Sequence, residues 1–326
     1  MKRREFITLL GSGAMAWPLA ARAQHTRMIP VIGFLGLAPA SGSESRVAAL
    51  RQGLRDHGYV EGKNIAIEFR WADTVRQLPE FAAELARMNV NVIFAQSSTT
   101  VEAARNATHT IPIVFAIHAD PIGLGHVASL ARPGANITGL SVLLTDLSAK
   151  ELEILKEAIP QVTRVGVLWN PTTPSHPLAW KAVEAAGEKL GVQLVTVPMR
   201  KVDDFDEAFL SMMQERVGSF LCVASPLFNA ERARMAKLAI EHRLPGMFGD
   251  LETVEAGGLM SYSADLLDLF RRSASYIDRI LKGEKAAELP VQQPTKFVLA
   301  INLRTAKAIG LTIPESFLLR ADEVIE

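Results

Sequence analysis

Short apolar runs alternate with amphipathic stretches of helical length along the chain from residue 28 onward. In the first part of the chain, the runs that predict β-strands are residues 29–35, 64–71, 90–95, 111–117 and 137–142. The helical stretches between them are residues 44–57, 76–88 and 101–108. The runs at 90–95 and 111–117 are apolar along most of their length, which is typical of parallel strands covered on both faces. This strict alternation predicts a doubly wound parallel sheet.

The same alternation then restarts. It predicts helices at 148–159, 177–190, 203–215 and 230–242, with strands at 164–169, 192–197, 219–223 and 246–248. The tail from residue 258 predicts a strand at 259–263, a helix at 266–281, a proline-bounded stretch at 289–294, a strand at 296–301 and a helix at 304–309. The fold class is therefore α/β, with two lobes that each contain a parallel sheet.

No long linker separates the two halves, so we expect the chain to cross between them more than once. The predicted first lobe is 28–142 with a return segment at about 262–295, and the predicted second lobe is 143–261 with a return at about 296–326. The two halves share a period of strands and helices but no obvious sequence repeat.

Residues 1–23 have the composition of a signal peptide. A charged start is followed by a short apolar stretch and by Ala21-Arg22-Ala23, which predicts cleavage after Ala23 and export to the periplasm. The adjacent Arg3 and Arg4 resemble a twin-arginine signal, and an ordinary Sec signal is the alternative. Gln24 stands where a lipid anchor would need cysteine, so we expect a diffusible protein. We separately expect it to be a monomer.

Charge and cysteine usage narrow the function further. The 35 basic and 35 acidic side chains give a formal net charge of zero, which argues against nucleic acid as the main partner. The single cysteine, Cys222, lies in an apolar run and is predicted to be a buried core residue. It allows neither an internal disulfide nor a cysteine-based zinc site.

The candidate binding residues are in the loops that follow the predicted strands, because ligands of open α/β sheets bind at the carboxyl ends of the strands. These residues are Ala38, Ser97, Ser98, Thr99, His118, Asp120, Asn170, Ser225, Asp250 and Tyr262.

Each of the stronger candidates also has a purely structural interpretation. Ser97, Ser98 and Thr99 open a predicted helix, where backbone N–H groups and hydroxyls can hold a carboxylate, or where one residue can serve as the helix cap. Asp250 could receive an ammonium group or cap the helix that follows it. Tyr262 could form an aromatic wall or belong to the core.

Motifs for catalysis are weak or missing. Gly123-Leu124-Gly125 lacks the third glycine of a dinucleotide loop, and no P-loop or Gly-x-Ser-x-Gly elbow occurs. The seven histidines are scattered, and His109, His118 and Asp120, two histidines nine residues apart with one carboxylate, are a poor metal signal. We therefore expect no cofactor, no metal and no enzymatic activity.

Several longer stretches resemble one family of exported proteins. They are Gly58-Tyr59-Val60-Glu61-Gly62-Lys63-Asn64, Ile111-Pro112-Ile113-Val114-Phe115, Asp120-Pro121-Ile122-Gly123, Ala131-Arg132-Pro133-Gly134-Ala135-Asn136-Ile137-Thr138-Gly139, Pro294-Thr295-Lys296-Phe297, Ile301-Asn302-Leu303-Arg304-Thr305-Ala306 and Arg320-Ala321-Asp322-Glu323. In these stretches the chain resembles the ABC-transporter solute-binding proteins of the family that includes tryptophan-binding and other aromatic-amino-acid-binding lipoproteins.

The resemblance implies a type I periplasmic-binding fold, with two Rossmann-like lobes joined by three crossovers that close on a solute like a hinge. It also implies that the loops at Ser97 to Thr99, His118 to Asp120, Ala224 to Ser225 and Asp250 line the cleft. The partners would be a small solute, such as an amino acid or a related carboxylate, and an ABC permease in the inner membrane. A sensory subunit that presents its solute to a membrane receptor and an exported enzyme are the alternatives.

Overall fold

A computed structural model describes residues 29–37 and 43–326. The predicted signal peptide and the candidate Ala38 lie outside these described residues. The fold contains a five-stranded and a seven-stranded sheet, each covered by helices on both faces. This architecture confirms the α/β class predicted from the alternation of strands and helices.

The first sheet is entirely parallel, with the strand order β2-β1-β3-β4-β5. Its strands are β1 Val31–Leu37, β2 Ala66–Ala72, β3 Val92–Ser97, β4 Ile113–His118 and β5 Ile137–Ser141. The helices that connect them are α1 Glu44–Asp56, α2 Leu78–Arg87 and α3 Ser98–Ala107. The first five residues of β3 are all buried, because helices cover both faces of this central strand.

The second sheet has the order β12-β11-β10-β9-β8-β6-β7 and is parallel except between β10 and β11. Its strands are β6 Arg164–Trp169, β7 Gln193–Pro198, β8 Ser219–Cys222, β9 Gly246–Phe248, β10 Met260–Ala264, β11 Phe297–Asn302 and β12 Glu323–Ile325. The remaining helices are α4 Leu144–Ala158, α5 His176–Leu190, α6 Asp204–Gln214, α7 Pro226–Ala230, α8 Arg232–Glu241, α9 Leu251–Glu255, α10 Leu266–Leu281, α11 Leu303–Ile309 and α12 Glu315–Leu318.

The chain passes between the two sheets three times. It leaves the first sheet after β5, returns after β10 as helix α10, and leaves again before β11. Helix α10 follows a strand of the second sheet but packs against α1 and β4 of the first. Phe270 of α10 lies 5.5 Å from Phe94 of β3, and Tyr59 donates a hydrogen bond to Asp278 of α10 over 3.1 Å.

Most element boundaries follow the hydrophobic pattern, and the departures have local causes. Strands β6 and β9 and helix α10 have the predicted bounds. Helix α4 begins at Leu144, four residues before the predicted start at 148, because Leu144 and Leu147 are apolar residues buried on its inner face. The predicted helix 230–242 corresponds to α8, and a short helix that was not predicted, α7, precedes it because Ser225 and Pro226 start a separate turn.

The single cysteine is buried and free, as predicted, with its thiol 4.0 Å from the sulfur of Met235. Within residues 29–37 and 43–326, no helix has the length and apolar character needed to cross a bilayer.

Candidate functional site

A cavity of about 250 Å³ lies between the carboxyl ends of the strands in the two sheets. Both lobes contribute polar groups to its lining, which are Ser43, Arg46, Gln96, Ser97, Ser98, Thr99, Thr173, Ser175, Ser225, Asn229, Arg232, Asp250 and Ser263. The rest of the lining is mostly aliphatic, with Leu37, Ile117, Val142, Leu144, Leu147, Pro226 and Leu266. No aromatic side chain lines the cavity among the described residues.

The clustered hydroxyl residues at the start of α3, Ser97, Ser98 and Thr99, have different roles in the helix cap and in the cavity lining. The Ser97 N–H donates to the Thr100 hydroxyl over 2.8 Å, so the cap is made within the chain. The Ser98 hydroxyl accepts from the Ala119 N–H over 2.9 Å and thereby ties α3 to the end of β4. Thr99 also lines the cavity, and its hydroxyl has no hydrogen-bond partner among the described residues. Thr99 is therefore the member of this cluster that is free to meet a ligand.

His118 lies behind this cluster rather than in the cavity lining. It is fully buried, and its Nδ1 is 3.4 Å from the Ser98 hydroxyl. Its Nε2 is 2.7 Å from Nδ1 of His126, whose Nε2 is 2.7 Å from a Glu102 carboxylate oxygen. Burial holds the pKa of His118 well below its usual value, with the neighbouring His126 adding to the effect. The ring is therefore neutral and positions Ser98 from behind.

Arg46 joins the two sides of the cavity. It is the third residue of α1 in the first lobe, and its guanidinium donates to Glu252 of α9 in the second lobe over 2.7 Å. The side chain is only 11% exposed, and its Nε is buried without a hydrogen-bond partner among the described residues. The N–H at Nε is a donor with no acceptor, in a site that both lobes enclose.

Arg46 was absent from the residues predicted as ligand contacts. One signal for it exists in the sequence, because a cation in the first turn of a helix is disfavoured by the helix dipole. Such a residue calls for an anionic partner elsewhere. The sequence alone could not identify that partner, because Glu252 lies 206 residues further along the chain.

Asp250 lines the cavity and also caps a helix. Its Oδ1 accepts from both the N–H and the hydroxyl of Thr253, over 2.8 and 2.6 Å. Both bonds go to one carboxylate oxygen, so Oδ2 has no hydrogen-bond partner among the described residues. Burial raises the pKa of Asp250, the Glu252 carboxylate raises it further, and Arg46 opposes the shift. The capping interpretation from the sequence is confirmed, and it leaves one oxygen for a ligand.

Two turns of the second lobe bring further hydroxyls to the cavity. Ser225 lines it and caps α7 by accepting from the Phe228 N–H over 3.3 Å. Asn170 accepts from the N–H and hydroxyl of Thr172 over 2.9 and 2.7 Å, and this turn delivers Thr173 to the cavity wall.

The structure thus brings together some of the predicted contacts and separates others. Those that line the cavity are Ser97, Ser98, Thr99, Ser225 and Asp250, whereas His118, Asp120, Asn170 and Tyr262 lie outside the lining. Asp120 accepts from the Gly123 N–H over 2.7 Å and shapes its own turn. Tyr262 stacks on Phe297 at 5.6 Å, because alternate residues of a strand face opposite sides and Ser263 takes the cavity side.

His176 supports the cavity wall in a way that depends on pH. Its Nδ1 accepts from the Asn170 N–H over 2.8 Å, and its Nε2 lies 3.2 Å from the carbonyl oxygen of Ala224, a cavity residue. Burial lowers the pKa of His176 from 6.5 to about 4. The pKa of His176 is lower in the folded protein than in the unfolded chain, so its neutral ring stabilises the fold. This contribution to the free energy of unfolding is complete above about pH 6.5 and is lost as the pH falls toward 4.

We therefore expect the wild-type protein to lose about 2 kcal/mol from this residue between pH 7 and pH 5. Urea unfolding at the two pH values measures the loss. In His176→Gln, which carries no titrating ring, the free energy of unfolding should fall by about 2 kcal/mol less between these pH values than in the wild type. His109→Gln at an exposed position is the control and should behave like the wild type. An unchanged pH dependence in His176→Gln would contradict this assignment.

Comparison with known proteins identifies the family of this two-sheet architecture. The family model described as ABC transporter substrate binding protein matches residues 39–325. A tyrosine-binding protein of Clostridioides difficile is 25% identical over 259 residues, which cover 79% of this chain and 74% of the relative.

Solved structures agree with this match. A conserved domain protein of Vibrio cholerae has a TM-score of 0.86 and 27% identity, over 91% of this chain and 99% of that one. A domain from Streptococcus pneumoniae in complex with L-Trp has a TM-score of 0.85 and 24% identity over the same shares. A ligand-free, open substrate-binding protein from Clostridium difficile has a TM-score of 0.70 and 23% identity, again over 91% and 99%.

The predicted type I periplasmic-binding fold is confirmed by these neighbours. The family model covers nearly the whole chain, and the site lies between two lobes as the fold requires. The chain belongs to the family of ABC transporter substrate-binding proteins.

Proposed function

We propose that the protein binds a free amino acid in the cavity between its lobes and delivers it, in the periplasm, to the permease of an ABC importer. The observation that carries this proposal is the pairing of Arg46 and Asp250 in one enclosed cavity, each with an unpartnered polar atom. A zwitterion carries one charge for each of them.

The carboxylate end of the solute is assigned to Arg46 and the start of α3. The buried Nε of Arg46 lacks an acceptor, and a charged hydrogen bond to a carboxylate would satisfy it. The Thr99 hydroxyl and the positive end of the α3 dipole add donors on the first-lobe side.

The ammonium end is assigned to Asp250. Its Oδ2 is the oxygen not used in the cap of α9, so it is the acceptor that Asp250 offers to an ammonium group. The cavity volume of about 250 Å³ lies below the 300–1,000 Å³ of sites for drug-sized ligands, which suits a solute as small as one amino acid.

Closure of the lobes follows from the same contacts. We propose that the closing bodies are residues 29–142 with 265–295 and residues 143–264 with 296–326, because strand β10, which ends at Ala264, pairs within the second sheet. The ion pair between Arg46 and Glu252 spans them, so the described arrangement has the character of a closed form. The higher similarity to the L-Trp complex than to the open, ligand-free relative supports this interpretation. A solute that touches both lobes binds the closed form better and so shifts the equilibrium toward it.

The relatives support an amino acid as the class of solute, since one is named a tyrosine-binding protein and another holds L-Trp. Binding without turnover is supported by the family, whose model is that of substrate-binding proteins.

The test is a thermal-shift and calorimetric screen of the purified protein against the standard L-amino acids, including L-tyrosine and L-tryptophan. We expect at least one to raise the melting temperature. Asp250→Asn keeps the cap of α9 but removes the charge, and it should weaken binding by roughly 10- to 100-fold, the value of a charged hydrogen bond. Asp120→Asn, outside the lining, is the matched control. If no amino acid binds, the proposal is wrong.

A further inference from the structure

Glu151 of α4 is a fully buried carboxyl without a partner. The residue is 0% exposed, and neither of its carboxyl oxygens has a hydrogen-bond partner among the described residues. A lone ionised carboxylate in such a place is costly, and an unsatisfied buried group in a native protein calls for an explanation. Burial raises the pKa of Glu151 well above its usual value, and the charge of Asp250 raises it further. We conclude that Glu151 is neutral while the site is empty.

The position of Glu151 on α4 connects it to the ligand cavity. Leu144, Leu147, Ser148 and Glu151 are spaced as one face of a helix, and the two leucines line the cavity. Glu151 lies about one turn, or 6 Å, beyond Leu147 on this face, and because it is fully buried and absent from the lining, its carboxyl lies behind the cavity wall. Ser148 on the same face also has a buried hydroxyl without a partner among the described residues.

The elements that pack against this face of α4 bring no balancing cation. Helix α4 contacts α5 and strands β8, β9 and β10. The charge of Asp250 raises the pKa of Glu151, and Glu151 in turn adds to the raised pKa of the buried Cys222 thiol. Helix α5 carries Lys181, Glu184, Glu188 and Lys189, and none of them forms an ion pair with Glu151. Arg232 also lines the cavity, and its guanidinium donates to the Asn229 carbonyl oxygen over 2.9 Å. The Arg46 guanidinium, on the other side of the cavity, is paired with Glu252. No cation among the described residues is within ion-pair distance of Glu151.

We propose that Glu151 acts on the ammonium end of the site through its charge, from behind the cavity wall, and that it releases its proton when a solute with an ammonium group binds at Asp250. This inference rests on the proposed function and deepens it. The positive charge that the fold lacks at this point is supplied by the solute. Only the O–H bond of the Glu151 carboxylic acid breaks, its proton passes to solvent, and the solute remains an ammonium ion.

Two consequences follow for recognition. Affinity must increase as the pH rises, because binding releases a proton. The site must also select solutes with a protonated amine over carboxylic acids of the same shape, because without the amine no charge compensates two carboxylates. The class of solute is therefore an α-amino acid rather than a plain carboxylate.

The test is isothermal titration of the whole protein with L-tyrosine and with L-tryptophan, at one pH near neutrality, in phosphate and in Tris buffer. The difference in heat between buffers counts the protons released on binding. We expect release of up to one proton per solute in the wild type and none in Glu151→Gln. Glu153→Gln, at an exposed position two residues along the same helix, should match the wild type.

If Glu151→Gln does not fold, an infrared difference spectrum of the wild type measures the protonation state of Glu151 before and after binding. Binding should remove the C=O band of a protonated carboxylic acid. Solute binding with no proton release and no loss of this band would overturn the role of Glu151 while leaving the proposed function intact. Failure of both amino acids to bind would reject this ligand assignment and the role of Glu151 together.

Discussion

Arg46→Ala is expected to lower the affinity for the amino-acid solute by a factor of roughly 30 to several thousand. Truncating one member of a buried, hydrogen-bonded charge pair costs about 2–5 kcal/mol, and each 1.4 kcal/mol is a factor of ten. Here the loss has two sources, since the variant removes a donor to the solute carboxylate and leaves Glu252 without its partner from the other lobe. Calorimetric titration with the amino acid that binds the wild type measures the change.

Two companion variants separate these sources. Glu252→Gln removes the ion pair between the lobes but keeps the guanidinium, so it should weaken binding less than Arg46→Ala. Arg55→Ala lies on the same helix at an exposed position and should leave the affinity unchanged. If Arg46→Ala and Glu252→Gln weaken binding equally, Arg46 acts through closure alone and the assignment of the carboxylate to its Nε is wrong.

Gly53→Ala is expected to destabilise the protein by more than about 3 kcal/mol, a large effect for a single added methyl group. Gly53 lies in α1 where this helix meets α10, and a Cβ there would be 2.1 Å from the backbone oxygen of Arg271 and 2.8 Å from the Cβ of Ala274. Neither neighbour can rotate away. The helices must separate, and the packing of α10 on the first sheet is disturbed with them.

The control for this variant is Gly187→Ala in α5. Its Cβ would meet mainly the end of the Leu194 side chain, 2.9 Å away, which can change rotamer. Alanine also gains about 1 kcal/mol of helix propensity over glycine, so the net effect there should be small. Urea unfolding of both variants provides the comparison. Similar stabilities for the two would show that α1 and α10 can part without cost.

Much of the fold follows from local sequence patterns. Runs such as 164–169 and 246–248 are apolar because helices cover both sides of a parallel strand, and this constraint is visible in any short window. The long helix at 266–281 is equally clear, because its buried positions recur with the helical period. Short helices such as α9 cannot be predicted from the spacing of apolar residues, because five residues are too few to show the helical period.

The candidate site was only partly predictable. Loops after strands can be found from the sequence, so Ser97, Ser98, Thr99, Ser225 and Asp250 were placed correctly near the cleft ends of their strands. Adjacent residues of a strand point to opposite faces of the sheet, so an error of one residue exchanges the two faces. For this reason Ser263 lines the cavity, whereas its neighbour Tyr262 does not. His118 turned inward because His126 and Glu102 hold its ring there.

The amino-acid sequence alone was sufficient for the α/β class, the order of most elements and the family, because these depend on periodicity and on motifs within short stretches. The pairing of Arg46 with Glu252, the burial of Glu151 and the enclosure of one cavity by two lobes required the three-dimensional arrangement. Arg46 and Glu252 are 206 positions apart, and no local pattern records which distant groups the packing of the sheets will bring together.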